Sequence, residues 1–153
     1  MIALGLAVAA MLLQPPRPGG LTNPAPMMLE TPNTRMIEKG DQSNIDEARR
    51  VLVRTDAEWT TLWKQHHPDK PRPAVDFSKE MIVGVFMGSR PNAGFSTAIV
   101  STTATPSGTL LVRYTEKIPA PGSITAQILT FPFHLVAIPK ADVKDVKFEK
   151  VEK

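Results

Sequence analysis

The sequence predicts an α+β fold: a mostly antiparallel sheet with one amphipathic helix packed on it. Two observations predict it. Short segments rich in Val, Ile, Phe and Thr follow one another from Arg35 to the C-terminus, separated by clusters of Pro, Gly, Asn and Ser. Only one stretch, Thr55 to His67, carries apolar side chains at helical spacing. Strand next to strand with a single inserted helix is the pattern of an antiparallel sheet, not of a βαβ array.

Taken in order, the chain opens on "MIALGLAVAAMLLQPP", with an apolar run from Ile2 to Leu13. That run is shorter than the ~20 residues that span a bilayer, and it fits the apolar region of a secretory signal. No Lys or Arg precedes it, and its best small-x-small motif, Ala7 to Ala9, lies inside the run. Residues 1–14 are expected to act as a signal peptide or an N-terminal anchor. Residues 15–34 are rich in Pro, Gly, Asn and Thr. Pro lacks a backbone donor and Gly adds chain entropy, so a flexible linker is expected there. The domain is expected to span 35–153.

Within the domain, "RMIEKG" (Arg35 to Gly40) and "RRVLVR" (Arg49 to Arg54) read as short strands flanking a polar loop. In the second, Val51 and Val53 point one way, Leu52 and Arg54 the other. Thr55 is placed to cap the helix, and Glu58 three residues on completes a capping box. Trp59, Leu62 and Trp63 sit at i, i+3 and i+4, one helix face, which is expected to contact the sheet. If both indoles were exposed, they would instead offer a stacking platform for sugars or bases. Pro68 and "DKPRP" end the helix.

Phe77, Met81 to Val83 and Val85 to Met87 form a near-continuous apolar run, the mark of a central strand buried on both faces. Phe95 to Thr103 and Thr109 to Lys117 flank the turn cluster "TPSG" and read as a hairpin. "IPAPGS" (Ile118 to Ser123) reads as a Pro-fixed loop. "ITAQILTFPFHLVAIPK" reads as one long or two short strands, with Pro132 marking an edge, a bulge or a crossing point. Val146 to Glu152 alternates and closes the domain.

Composition narrows the function classes. Lys and Arg total 18 against 15 Asp and Glu, a net charge of +3, spread along the chain rather than clustered. That is not the electrostatic footprint of a nucleic-acid binder. Cysteine is absent, which excludes disulfides, thiol catalysis, thiolate metal sites and a lipid-bearing Cys. No nucleophile elbow, P-loop, dinucleotide fingerprint or H-E-x-x-H occurs. Asp76, Glu80 and Glu116 are not paired in sequence. His66 and His67 are adjacent, so on a helix they are expected to diverge by ~100° and not to share a metal. His134, in "FPFHLVAI", reads as a partly buried strand residue. No catalytic residue, metal ligand or cofactor is therefore assigned.

The stretch "VDFSKEMIVGVFMGSRPNAGFSTAIV" and its continuation resemble the PrcB C-terminal domain family. The matching residues are Gly88, Gly94, Phe95, Pro119, Pro121, Thr130, Pro132, Phe133, Leu135, Val136, Ile138, Pro139 and Lys140. The Trp-containing helix ahead of them also fits, so the resemblance spans about residues 48 to 151. It implies an exported, non-catalytic protein, associated in the type member with the assembly or stability of a surface protease complex. The type member is a lipoprotein; this chain has no Cys to carry the lipid.

Two functional readings follow. In the first, the domain docks a partner, a protease or another envelope protein, through the loops "SRPNAGF" and "IPAPGS". Arg90, Asn92, Gly94, Phe95, Pro119 and Pro121 form the binding rim, where rigid Pro and an aromatic ring lower the entropy lost on binding. The protein is then secreted or periplasmic, touches the membrane only through its N-terminal segment, and has no nucleic-acid partner. In the second, a small-ligand-binding protein or hydrolase builds a pocket near Arg90, His134 and a carboxylate. A plainer role for the first loop is turn chemistry alone, with Gly94 at positive φ and Phe95 pointing into the core.

Overall fold

The computed structural model describes residues 34–152. The expected signal or anchor, and the linker up to residue 33, lie outside the described residues. Seven strands and one helix follow in the order β1 (Arg35–Gly40), β2 (Ala48–Val53), α1 (Asp56–His66), β3 (Glu80–Met87), β4 (Ser96–Ala104), β5 (Thr109–Lys117), β6 (Phe133–Pro139) and β7 (Asp145–Lys150). Among the described residues no helix is long and apolar enough to cross a membrane.

The strands form two sheets where the sequence predicted one. The first has the order β1-β6-β3-β2 and is antiparallel throughout. The second has the order β4-β5-β7, with β4 antiparallel and β7 parallel to β5. The reason lies in the apolar surface of β3 and β6, which is too extensive for one helix to cover. β3 sends Ile82 and Phe86 to one face, where Phe133 and Leu135 of β6 join them against Trp59, Leu62 and Trp63 of α1. It sends Met81 and Val83 to the other, where Val136 and Ile138 meet Leu110 and Val112 of β5. The hairpin β4–β5 forms as predicted, and its inward-facing Leu110, Val112 and Tyr114 supply the third layer. The result is helix, sheet and sheet, with β3 and β6 in the middle, which bears out the central strand read from the apolar run.

The helix starts at its predicted cap: the Glu58 N–H donates to Thr55 Oγ1 at 3.2 Å. Glu58 Oε2 reaches back to the Arg54 N–H at 2.9 Å, one residue before the cap. Its buried stripe is narrow, Trp59, Leu62, Trp63 and His66, so the predicted amphipathicity is shallow and the domain is mostly β. The two indoles are 0 % and 5 % exposed, which removes the stacking platform. Their N–H groups donate to Pro73 O at 3.0 Å and Lys70 O at 2.9 Å. Each ring thereby pins the chain that leaves the helix.

"ITAQILTFP", residues 124–132, does not form a strand. Only Phe133–Pro139 does, while Thr130 and Phe131 make single bridges to Arg90 and Gln42. Pro132 stands just before β6, and its carbonyl accepts the Met87 N–H at 2.9 Å. β1 and β2, neighbours in sequence, lie at opposite edges of the first sheet.

Candidate functional site

The loop after β3 does not stand alone. The Arg90 N–H donates to Thr130 O at 2.7 Å and Thr130 returns a bond to Arg90 O at 2.9 Å. Thr130 Oγ1 donates to Asn92 O at 3.0 Å, and Ala93 N donates to Ala126 O at 2.9 Å. Gly94 has φ +103, as the turn reading expects, and a Cβ there would lie 2.9 Å from Pro119 Cγ. Residues 88–95 and 118–130 therefore form one ridge, stitched by backbone bonds.

Of the six rim residues, Arg90, Asn92, Phe95 and Pro119 are half-buried, while Gly94 and Pro121 are exposed. Phe95 is neither a core aromatic nor a free wedge, because the Arg90 guanidinium lies over its ring, 5.7 Å from the centroid. Arg90 Nε and Asn92 Oδ1 are buried without a hydrogen-bond partner. The sequence reading missed the ridge's apolar crest. Ile118, Ile124, Ile128 and Leu129 are 66 %, 102 %, 53 % and 59 % exposed. A strand over "ITAQIL" would place Ile124, Ile128 and Leu129 on a sheet, whereas Ile118 falls in the loop expected from the sequence. The flanking Gly122 and Pro132 were the signal that no ladder would form there.

The residues of the small-ligand reading are engaged elsewhere. His134 is buried between the sheets, and its Nδ1 accepts the Ile99 N–H at 2.9 Å. Burial, with Lys39 nearby, pushes its pKa down to about 4. Glu80 pairs with Arg35 at 2.7 Å and Glu116 with Lys150 at 3.5 Å, while Asp76 caps the turn at Ser78. A groove of about 450 Å³ runs between β2 and α1, bordered by Arg49, Val51, Glu58 and Gln65. A hollow of about 150 Å³ lies beside Lys39, Ser96 and Glu116. Neither is lined by Arg90 or His134.

A second cluster sits where α1 ends against β1. The prediction that His66 and His67 diverge is overturned. His67 is the C-cap, with φ −143 and ψ 75, so it has left the helix and its ring swings back beside that of His66, 3.8 Å between centroids. Both rings face Glu38 of β1: His66 Nε2 lies 3.2 Å from Oε2 and His67 Nε2 lies 3.4 Å from Oε1. His66 Nδ1 lies 2.7 Å from Ser43 Oγ, which also accepts the Ile45 N–H at 3.0 Å. Lys70 Nζ donates to Glu38 Oε1 at 3.1 Å and lies 3.3 Å from His67 Nε2.

The histidines are almost wholly enclosed, His66 at 0 % and His67 at 7 % exposure. Burial pushes the His66 pKa down to about 4, and also lowers that of His67, so both rings are neutral. Burial acts to raise the Glu38 pKa, but the hydrogen bonds from Lys70 and His66 outweigh it and hold the carboxyl below its ordinary range.

The fold and these two places define the class: a small two-sheet β domain with one packed helix and a prominent loop ridge. The family model described as PrcB C-terminal matches residues 81–139, from β3 to the end of β6. Over that stretch the chain is similar to the PrcB C-terminal family, which supports the resemblance read from the sequence within residues 81–139. Neither a curated protein nor a solved structure matches the chain. The ridge falls inside the matched stretch; Glu38, His66 and His67 fall outside it.

Proposed function

We propose that this chain is an exported, non-catalytic accessory domain of a protease-containing assembly, and that it docks its partner through the ridge of residues 88–95 and 118–130. The family match supports the association with a protease complex. One observation carries the choice of surface. Among the described residues six large hydrophobic side chains are exposed, and four of them, Ile118, Ile124, Ile128 and Leu129, lie on this one segment. Clustered exposed apolar side chains are the usual mark of a contact surface. The backbone bonds to residues 90–93 hold the segment in place, which reduces the ordering entropy lost on docking. The half-buried Arg90, Asn92, Phe95 and Pro119, with Gly94 and Pro121, form the flank of that crest.

The test is capture from envelope extract with the full chain as bait, followed by cross-linking and mass spectrometry. Wild type is expected to recover a protease-containing complex, and an Ile124→Asp/Ile128→Asp variant to lose it. The reading fails if wild type and variant recover the same proteins. Fractionation of cells producing the full chain checks export: recovery in the cytoplasm alone contradicts it.

A further inference from the structure

We propose that Glu38, His66 and His67 form a binding site for a divalent transition metal ion, with Zn²⁺ as the test ion. One donor atom from each residue can be chosen so that all lie within 4.8 Å of one another. The two histidine-to-carboxylate distances are 3.2 and 3.4 Å. Zn–N and Zn–O bonds of ~2.0–2.1 Å at tetrahedral angles separate neighbouring donors by ~3.3 Å. Each histidine therefore stands at about that spacing from one of the two Glu38 oxygens, and the remaining donor separation, within 4.8 Å, closes by small torsions of the carboxylate and imidazoles.

The donor set selects the ion class. Two neutral imidazoles with one carboxylate suit Zn²⁺, Cu²⁺ or Ni²⁺, whereas Ca²⁺ and Mg²⁺ take oxygen ligands in greater number. Ser43 provides the outer contact that such sites use to orient a ligating histidine. Metal binding would move the His66 proton from Nε2, where it serves Glu38, to Nδ1, where Ser43 Oγ can accept it.

Lys70 marks the position of the charge. Its ammonium touches Glu38 Oε1 and His67 Nε2, two of the atoms the ion would join. That contact requires His67 Nε2 to accept, so its lone pair already points at a cation. The Lys70 side chain is 55 % exposed, free to swing into solvent as an ion enters. Once bound, the ion would tie edge strand β1 to the end of α1. The chain has three histidines and no cysteine, and the third histidine, His134, is committed to Ile99. Competition from other soft donors is therefore slight.

The experiment uses untagged full-length protein in equilibrium dialysis against Zn²⁺, with thermal denaturation alongside. One Zn²⁺ per chain and a rise in Tm are expected. Co²⁺ bound in its place is expected to show the visible absorption of a low-coordinate site. His67→Gln, at the edge of the cluster, is expected to abolish stoichiometric binding, and Ser43→Ala to weaken it about 10–100-fold. Lys70→Met, at an exposed position that preserves the fold, removes the competing charge and is expected to tighten binding roughly 10-fold. Failure of wild type to retain Zn²⁺, or retention by His67→Gln at wild-type affinity, overturns the site. A Lys70→Met variant that binds no tighter overturns the placement of the ion.

Discussion

His134 Nδ1 accepts the backbone N–H of Ile99 at 2.9 Å, joining β6 of the four-stranded sheet to β4 of the three-stranded one. The bond exists only while the imidazole is neutral at Nδ1. Burial, with Lys39 paired opposite on β1, pushes the His134 pKa from 6.5 down to about 4. In the unfolded chain the ring takes a proton near pH 6.5, and in the fold only near pH 4. The contribution to stability is therefore complete above pH 6.5 and is lost as pH falls towards 4, by about 3 kcal/mol. His66, also held near 4, adds a loss over the same window. Urea midpoints at pH 7.5 and 4.5 check this. His134→Asn, whose Oδ1 can accept the same N–H without titrating, is expected to show the smaller decline.

The indoles of Trp59 and Trp63 are anchors of the core. Trp59→Ala is expected to destabilise by about 3–5 kcal/mol, since it empties a fully buried site and leaves Pro73 O without its donor. Trp59→Phe keeps most of the apolar contact and is expected to lose less than half as much. Chemical denaturation at neutral pH measures both. Equal losses would mean that volume is not what this position supplies.

Two glycines of the ridge differ in what surrounds them. Gly88 has φ +75, and a Cβ there would lie 2.7 Å from Ala48 N and 2.8 Å from Asp46 O, both backbone. Gly94 has φ +103, but its nearest neighbour is the ring of Pro119, on a loop that can give. Each substitution to Ala pays the left-handed strain of about 1–2 kcal/mol. Gly88→Ala is expected to exceed Gly94→Ala, because backbone on the neighbouring segment would have to move as well. Thermal melts of the two variants decide the order.

The crest variant Ile124→Asp/Ile128→Asp is expected to fold as wild type. Both side chains are more than half exposed, and surface changes of this kind stay within about 0.5 kcal/mol. Matching urea midpoints would show that loss of a partner reflects the surface itself. A large loss of stability would mean that the segment packs on the domain.

Some of this was legible beforehand. The unbroken run Met81 to Met87 announced a strand covered on both sides, and it is one. Thr55 and Glu58 announced the helix start, and Gly94 its positive φ. The second sheet was not legible. Alternation along Phe95 to Lys117 shows that one face is buried and does not say against what. The stretch Ile124 to Leu129 carries strand-like residues, yet no neighbouring strand offers it a ladder, so it stays a loop. His66 and His67 would diverge only if the helix continued through His67, and it ends there at the C-cap.

By itself the sequence determined the local elements: which runs are apolar enough to be strands, where the helix is capped, and where the chain must turn. These depend on side-chain periodicity and backbone restrictions within a few residues. Tertiary structure alone decided that β3 and β6 carry a layer on each face. It also decided that loops some thirty residues apart join as one ridge, and that Glu38 meets two histidines from the far end of a helix. Those relationships depend on strand order and on which distant surfaces bury each other, and neither leaves a periodic signal in the chain.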